Sequence, residues 1–107
     1  ASRALGQLEI EAHALKNLGM THRALGQFSQ ATHYYQQAVG VHRQHGDRRE
    51  EAIILRALGE LLREAGQPAP GDRSLHQALN LFEALGAPEA AELREQLATD
   101  TQLATDP

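Results

Sequence analysis

Four basic residues recur at a fixed distance along the chain. Lys16 and Arg23 are followed forty residues later by Arg56 and Arg63. Ammonium and guanidinium groups bind carboxylates through charge-assisted hydrogen bonds, and arginine can form two such bonds in parallel. The spacing therefore predicts a row of cations, which we call the basic row, that pairs with an acidic segment of a partner protein.

The alternative is that the basic row consists of ordinary surface charges, some of them paired with Glu60 or Glu64. Exposed ion pairs are common and stabilise proteins little. Met20 and Ile53 lie near the row and leave two interpretations open in the same way. They either form an apolar contact patch for the partner or pack between helices.

Two of the six histidines have a spacing that suits a metal ion. His42 and His45 lie three residues apart, on one face of a helix, which is compatible with two ligands. The sequence offers no evident third ligand unless Asp47 or His33 reaches them. His22 falls at a core-facing position and is expected to be packed and hydrogen-bonded. We predict no metal site and no cofactor.

The sequence also excludes several classes of function. It contains no cysteine, no glycine-rich phosphate loop, no nucleophile elbow and no His-Glu-x-x-His motif, so we expect no enzyme. Ten basic against fourteen acidic residues give a net charge of −4, which argues against direct binding of nucleic acid. No apolar run approaches the roughly 18 residues of a membrane span. We expect a cytoplasmic protein with no membrane partner.

The elements that would position these residues follow from an internal repeat of forty residues. The matching positions hold leucine, alanine and glycine at helical spacings of three, four and seven, which predicts amphipathic helices. Conspicuous pairs are Leu15 and Leu55, Leu18 and Leu58, Gly19 and Gly59, Gly26 and Gly66, and Ala38 and Ala78. We therefore predict an all-α protein of antiparallel helix hairpins, with two repeats and a C-terminal capping helix.

The 107 residues form one predicted domain, divided by this period. The divisions are a stub of a preceding repeat at 1–6, repeat 1 at 7–46, repeat 2 at 47–86, the capping helix at 87–98 and a tail at 99–107. The stub should be frayed and the tail disordered for lack of apolar anchors. Because the chain begins without Met, we expect it to be a fragment of a longer protein.

The predicted helices span 9–25, 28–45, 48–65, a fourth ending near 85, and 88–98. The first should bury one stripe, formed by Ala12, Leu15, Leu18, His22 and Leu25. Asp47 and Glu50 suit a capping box at the start of the third helix. Pro68, Pro70 and Gly71 should delay the fourth helix to Asp72 or Ser74. Glycine within a helix costs about 1 kcal/mol relative to alanine, so Gly19 and Gly59 should mark close contacts between helices.

The same residues carry a resemblance to a known family. The pattern of a large residue, Leu-Gly and a second large residue falls on Leu15, Leu18, Gly19 and His22, and Gly26, Phe28, Ala31, Tyr35 and Ala38 follow it. This pattern resembles a tetratricopeptide repeat in its longer, forty-residue form. The chain departs from the family by lacking Trp at the first large position, and by Pro68 and Gly71 in the second copy.

The resemblance implies an α-solenoid whose first helices line a concave groove that holds a peptide. The groove residues would be His13, Lys16, Asn17, Met20, Arg23, Ile53, Arg56, Glu60 and Arg63. Asn at the position of Asn17 often binds the peptide backbone in this family. The second repeat has Ala57 there, so the carboxylate clamp of chaperone-binding relatives does not carry over.

We therefore expect a non-catalytic protein-protein interaction module whose partner is a peptide or helix, acidic if the basic row contributes. The repeat length and the arginine-rich composition are similar to the C-terminal repeats of bacterial transcriptional activators of the antibiotic-regulator (SARP) type and of NB-ARC ATPases. That similarity implies a part in transcription regulation within a larger chain. The alternative is a structural or self-association segment that stacks through exposed repeat ends, with Leu93 and Leu97 at one end.

Overall fold

The computed structural model describes the backbone of residues 5–105 and the side chains of residues 6–100, and this part of the chain is built from α-helices. Their bounds are α1 Leu5–Ala24, α2 Phe28–His45, α3 Arg48–Glu64, α4 Pro68–Ala84 and α5 Glu89–Thr105. The helices α1 and α2 form one hairpin, and α3 and α4 form a second. Because α2 also packs on α3 and α4 packs on α5, the hairpins stack in sequence order. The prediction of tandem helix hairpins is confirmed.

The four turns between the helices share one design, at intervals of twenty residues. A glycine with positive φ follows each of the first four helices, at Gly26, Gly46, Gly66 and Gly86. The residue after each glycine donates its backbone N–H to a carbonyl five residues earlier, as Gln27 does to His22 at 2.8 Å. This is the Schellman arrangement, which satisfies the last carbonyls of a helix and reverses the chain. At the turn into α3, Asp47 also accepts a bond from the backbone N–H of Glu50 at 3.1 Å, which is one of the two bonds of the predicted capping box.

One continuous core joins the two hairpins and α5. Apolar residues of α2 to α5 are buried there, among them Tyr35, Leu58, Leu75, Phe82 and Leu93. A smaller cluster at the start of the stack holds Leu8 and Ala12 of α1 against Val41 of α2. Burial of this apolar surface is the main term that holds the hairpins together.

Two glycines within helices lie where the backbones approach most closely. A Cβ atom on Gly19 would come within 2.7 Å of the ring of Tyr35. A Cβ atom on Gly59 would lie 2.6 Å from Leu75 and 2.8 Å from the carbonyl oxygen of Gly71. The prediction that these glycines mark close helix contacts is confirmed, and it places Gly71 opposite Gly59 at the crossing of α3 and α4.

The inward stripe predicted for α1 was wrong at two positions. Leu18 is 41% exposed, and Leu25 lies beyond the end of the helix and is 66% exposed. In α3 the equivalent of Leu18 is Leu58, which is buried because α2 as well as α4 packs against α3. His22 is half-buried and hydrogen-bonded, with its Nδ1 atom 2.5 Å from Oε1 of Gln27.

The predicted delay of α4 was also wrong. The helix begins at Pro68, with Pro70 and Gly71 inside its first turn. The first N–H groups of a helix have no partner within the helix, so proline there sacrifices no hydrogen bond. Gly71 donates its N–H to the carbonyl of Gln67 at 3.1 Å, which continues the helix through the glycine.

The predictions for the two ends of the chain need correction as well. Residues 5 and 6 belong to α1, which the burial of Leu8 anchors early, and residues 1–4 lie outside the described part. At the other end α5 runs to Thr105, where we expected a disordered tail from residue 99. Asp100 in this extension is held by an ion pair with Arg63 at 2.6 Å.

Within residues 5–105, no helix is long and apolar enough for a membrane span.

Candidate functional site

A groove of about 550 Å³ lies between the first helices of the two hairpins. We call it the α1/α3 groove. The residues that line it are Lys16, Met20, Arg23, Ala24, Tyr35, Ala57 and Glu64. Three of the nine predicted groove residues thus line this space together, namely Lys16, Met20 and Arg23.

The groove combines an apolar surface with one uncompensated cation. Met20 is 52% exposed, and Ala24 and Ala57 lie beside it. Tyr35 of α2, itself buried, closes the groove from below against Gly19. In the described part of the chain, the half-buried Lys16 forms no ion pair. Its ammonium group is therefore available to a carboxylate from outside the chain.

Arg23 is already occupied by the second hairpin. Its Nε and Nη2 atoms donate to one oxygen of Glu64, at 3.0 and 2.7 Å. Burial alone would lower the pKa of Arg23, but the hydrogen bond and the charge of Glu64 outweigh it and raise the pKa. The pair joins α1 to α3 across the groove.

The other two arginines of the basic row join α3 to α5 in the same way. Arg63 binds Asp72 of α4 and Asp100 of α5, each at 2.6 Å. Burial would lower the pKa of Arg63, and its hydrogen bonds with these two aspartates raise it instead. Arg56 donates to Gln96 of α5 at 3.2 Å and pairs with Glu60 at 3.4 Å. Three of the four cations thus bind side chains of the chain itself.

The remaining predicted groove residues are spread along α1 and α3. His13 and Asn17 are exposed on α1, and the carbonyl of Asn17 accepts a bond from the hydroxyl of Thr21 at 2.9 Å. Ile53 is half-buried and packs against the core, which supports the packing interpretation for this residue. Met20, in contrast, presents its side chain to the groove.

Sequence reasoning did not include Ala24, Tyr35 and Glu64 in the site. Tyr35 is a buried core residue, and its ring also forms the base of the groove. Glu64 was foreseen only as a partner of the basic row. The repeat held a signal for its position, because Glu64 is the equivalent of Ala24, which also lines the groove.

A family model supports the same architecture. The model described as tetratricopeptide repeat matches residues 10–84. The chain belongs to this family. Tetratricopeptide repeats generally mediate protein-protein interactions and are typically non-catalytic. A comparison with curated proteins finds no relative similar enough to report.

This tetratricopeptide repeat domain contains a second polar cluster, at the turn from α2 to α3. Nitrogen atoms of His42 and His45 and a carboxylate oxygen of Asp47 lie within 4.8 Å of one another. Asp47 therefore reaches both histidines. This is one of the two approaches that the sequence left open as the source of a third metal ligand. His33 does not belong to the cluster, since its Nε2 atom lies 3.0 Å from Nε2 of Gln37.

His42 is the most buried member of this cluster, at 2% exposure, and burial lowers its pKa although Asp47 and Glu50 oppose the shift. Both of its ring nitrogens lack a hydrogen-bond partner, as does Nδ1 of His45. The Nε2 atom of His45 faces Oε1 of Glu9 at 3.8 Å. The cluster thus holds three buried nitrogens without partners beside a carboxylate.

Proposed function

We propose that this domain is a non-catalytic interaction module that holds an acidic peptide or helix of a partner protein in the α1/α3 groove. The observation that carries the proposal is Lys16, which forms no ion pair within the described part of the chain and lies beside the apolar side chains of Met20 and Ala57. A segment with a carboxylate next to an apolar residue complements this surface. The charge pair would orient the segment, and the apolar contact would contribute most of the affinity.

The arginines of the basic row have a different role in this proposal. Arg23, Arg56 and Arg63 keep their carboxylate and amide partners within the chain, so they hold α1, α3 and α5 at fixed distances. A groove that is already rigid loses little entropy when a peptide binds, which favours affinity. The charge available to a partner is then concentrated at Lys16 rather than spread along the row.

An array of acidic and basic peptides of equal length tests this proposal, followed by fluorescence anisotropy on the acidic peptides that bind. The change Lys16→Glu should weaken binding by about tenfold or more, because it replaces attraction by repulsion. Arg73→Glu makes a similar charge reversal on the exposed side of α4 and should leave binding unchanged. If both variants bind like the wild type, the groove does not recognise acidic segments.

The double change Arg56→Glu, Arg63→Glu tests whether these two arginines of the basic row stabilise the fold or bind the peptide. In this proposal the double variant loses contacts to α5 and should be less stable, while the peptide affinity of the folded fraction is retained. A loss of affinity that matches that of Lys16→Glu, in protein shown to be folded, would return the two arginines to the binding surface.

We further propose that the domain is a regulatory part of a larger cytoplasmic protein, a bacterial transcriptional regulator. The support is the likeness of its forty-residue period and its composition of nine arginines to one lysine to the repeat regions of such regulators. The sequence of the parent gene tests this proposal. A DNA-binding or nucleotide-binding domain in the same chain would support it, and an unrelated enzyme domain would contradict it.

A second candidate function is self-association, and one surface favours it. Ile10 at 72% exposure, Leu18 and Ala14 lie on one outward face of α1. The equivalents of Ala14 and Leu18 in α3 are Ile54 and Leu58, which are buried in the core that α2 and α3 share. The α1 face is thus of the kind that this fold covers with another hairpin, and a second copy of the chain could supply one. Leu93 and Leu97, which we expected at an exposed end, are buried and do not form such a surface.

Light scattering over a range of concentrations tests this candidate. If copies associate through α1, the wild type dimerises as concentration rises and Ile10→Glu stays monomeric. The substitution is mild, because repeat 2 already has a glutamate, Glu50, at the equivalent position. A wild type that stays monomeric, or a dimer that persists in Ile10→Glu, counts against this surface.

A further inference from the structure

The histidine cluster is independent of the groove and points to a different kind of ligand. It lies where α2 ends and α3 begins, with His42 and His45 in the last turn of α2 and Asp47 as the residue that caps α3. The left-handed turn at Gly46 brings the aspartate back toward the two histidines. Three potential ligand atoms are thereby placed within 4.8 Å of one another.

The packing of the repeat does not explain the buried imidazole. The equivalent of His42 in the second repeat is Phe82, which is buried at the same place in the second hairpin. The equivalents of His45 and Asp47 are Leu85 and Ala87, neither of which can bind a metal. An apolar side chain thus suffices for this fold, whereas His42 leaves two buried nitrogens without a partner, which is unfavourable. A bound ion would supply a partner to one of these two nitrogens.

The donor set and its surroundings suit a zinc-class ion. Imidazole nitrogen and carboxylate oxygen are common Zn²⁺ ligands, and three protein ligands leave a fourth position for water. Ligand atoms of tetrahedral zinc lie about 3.4 Å apart for bonds of about 2.0–2.1 Å, so the cluster needs a modest closure. His45 and Asp47 are incompletely buried.

The outer contacts also fit metal binding. Oδ1 of Asp47 accepts the N–H of Glu50, which leaves the second carboxylate oxygen for an ion. If His45 binds through Nδ1, its Nε2–H faces the carboxylate of Glu9, an arrangement that orients a histidine ligand. A surface cavity lined by His45, Gly46 and Asp47 offers an access path from solvent.

We propose that His42, His45 and Asp47 bind a zinc-class divalent cation at the turn between the two hairpins. The ion would link the end of α2 to the start of α3 and so brace the junction of the repeats. In this proposal the ion ties two segments of backbone together, with water in the fourth coordination position.

The test uses the full chain without a histidine tag, freed of metal by chelator and titrated with Zn²⁺ by calorimetry. We expect one ion per chain, bound in the micromolar range or tighter, and a rise in the unfolding temperature. Co²⁺ added in place of Zn²⁺ should give the visible absorption of a tetrahedral site. Failure to bind Zn²⁺ tighter than millimolar overturns the proposal.

Two variants and a control keep the test specific. His42→Phe copies Phe82 of the second repeat, so it should fold, judged by circular dichroism, and lose more than about 100-fold in zinc affinity. Asp47→Asn keeps the helix cap and removes the carboxylate, so it should bind more weakly than the wild type. His33→Phe, on the exposed side of α2, should bind like the wild type. If His42→Phe or Asp47→Asn retains wild-type affinity, the ion binds elsewhere and the three-ligand site is refuted.

Discussion

The helices α1 and α3 hold equivalent positions in the two repeats and have different surroundings. Leu58 of α3 is 5% exposed, whereas Leu18 of α1, forty residues earlier, is 41% exposed. The difference does not come from residue type, since both are leucine. It arises because α3 packs against both α2 and α4, while α1 is the first helix of the described stack. In a repeat protein, the position of a helix in the stack decides how much a residue of that helix contributes to stability.

The same contrast applies to the arginines. Arg23 and Arg63 are equivalent. Arg23 of α1 binds a carboxylate on α3, and Arg63 of α3 binds a carboxylate on α5. Arg63 holds two carboxylates, on α4 and α5, where Arg23 holds one on α3. The interior of the stack is thus tied more strongly than its first layer. Three comparisons between equivalent residues test this difference.

The largest effect should come from the leucine pair. Leu58→Ala removes buried contacts and leaves a cavity, so it should lower the free energy of unfolding by about 3 kcal/mol. Leu18→Ala removes a half-exposed side chain and should cost about 1 kcal/mol or less. Urea denaturation of both variants measures the two values. Equal losses would mean that α1 is as enclosed as α3.

The glycine pair should give the next effect. Gly59→Ala forces a methyl group against the backbone oxygen of Gly71, which cannot move without separating α3 from α4. We expect a net loss of about 2 kcal/mol, since overpacking exceeds the gain in helix propensity. Gly19→Ala meets the ring of Tyr35, a side chain and not backbone, and should cost less.

Gly40 provides the control for both glycines. It lies within α2 with no atom within 4 Å of an added Cβ, so Gly40→Ala should stabilise the protein by about 0.5–1 kcal/mol. Thermal unfolding of the three variants gives their order. If Gly59→Ala is as stable as Gly40→Ala, the close crossing of α3 and α4 is wrong.

The arginine pair should give the smallest effect. Arg63→Gln should cost about 1 kcal/mol and Arg23→Gln about half of that, because partly exposed ion pairs are worth little and Arg63 has one more partner. High salt should reduce the difference in the free energy of unfolding between each variant and the wild type, because it screens the ion pairs. A larger loss for Arg23→Gln, measured in low salt, would reverse the proposed order of the layers.

Much of the fold was predictable because its signals are local. The turns are readable from glycines at the ends of the helical patterns, and Gly19 and Gly59 identified the close helix contacts. The start of α4 was mispredicted because proline was treated as a helix breaker, whereas the first turn tolerates it. Leu18 and Leu25 were assigned to the core from spacing alone, which cannot tell whether a neighbouring helix is present.

Less of the candidate site was predictable. The resemblance to the family implied nine groove positions, and three of them, Lys16, Met20 and Arg23, line the groove. The pairing of Arg63 with Asp100 was not foreseen, because α5 was expected to end before that residue. The approach of Asp47 to both histidines depends on the turn between α2 and α3, and spacing left it open.

The sequence by itself determined the order of helices and turns in this protein. A helix depends on residues three to four positions apart, and each turn depends on a glycine that can adopt the left-handed backbone conformation. The tertiary structure decided which apolar faces are covered, which cations stay free and which nitrogens are buried without a partner. Those outcomes depend on contacts between segments that are distant in the chain. The two repeats place the same residue type at equivalent positions, but these positions are packed against different helices.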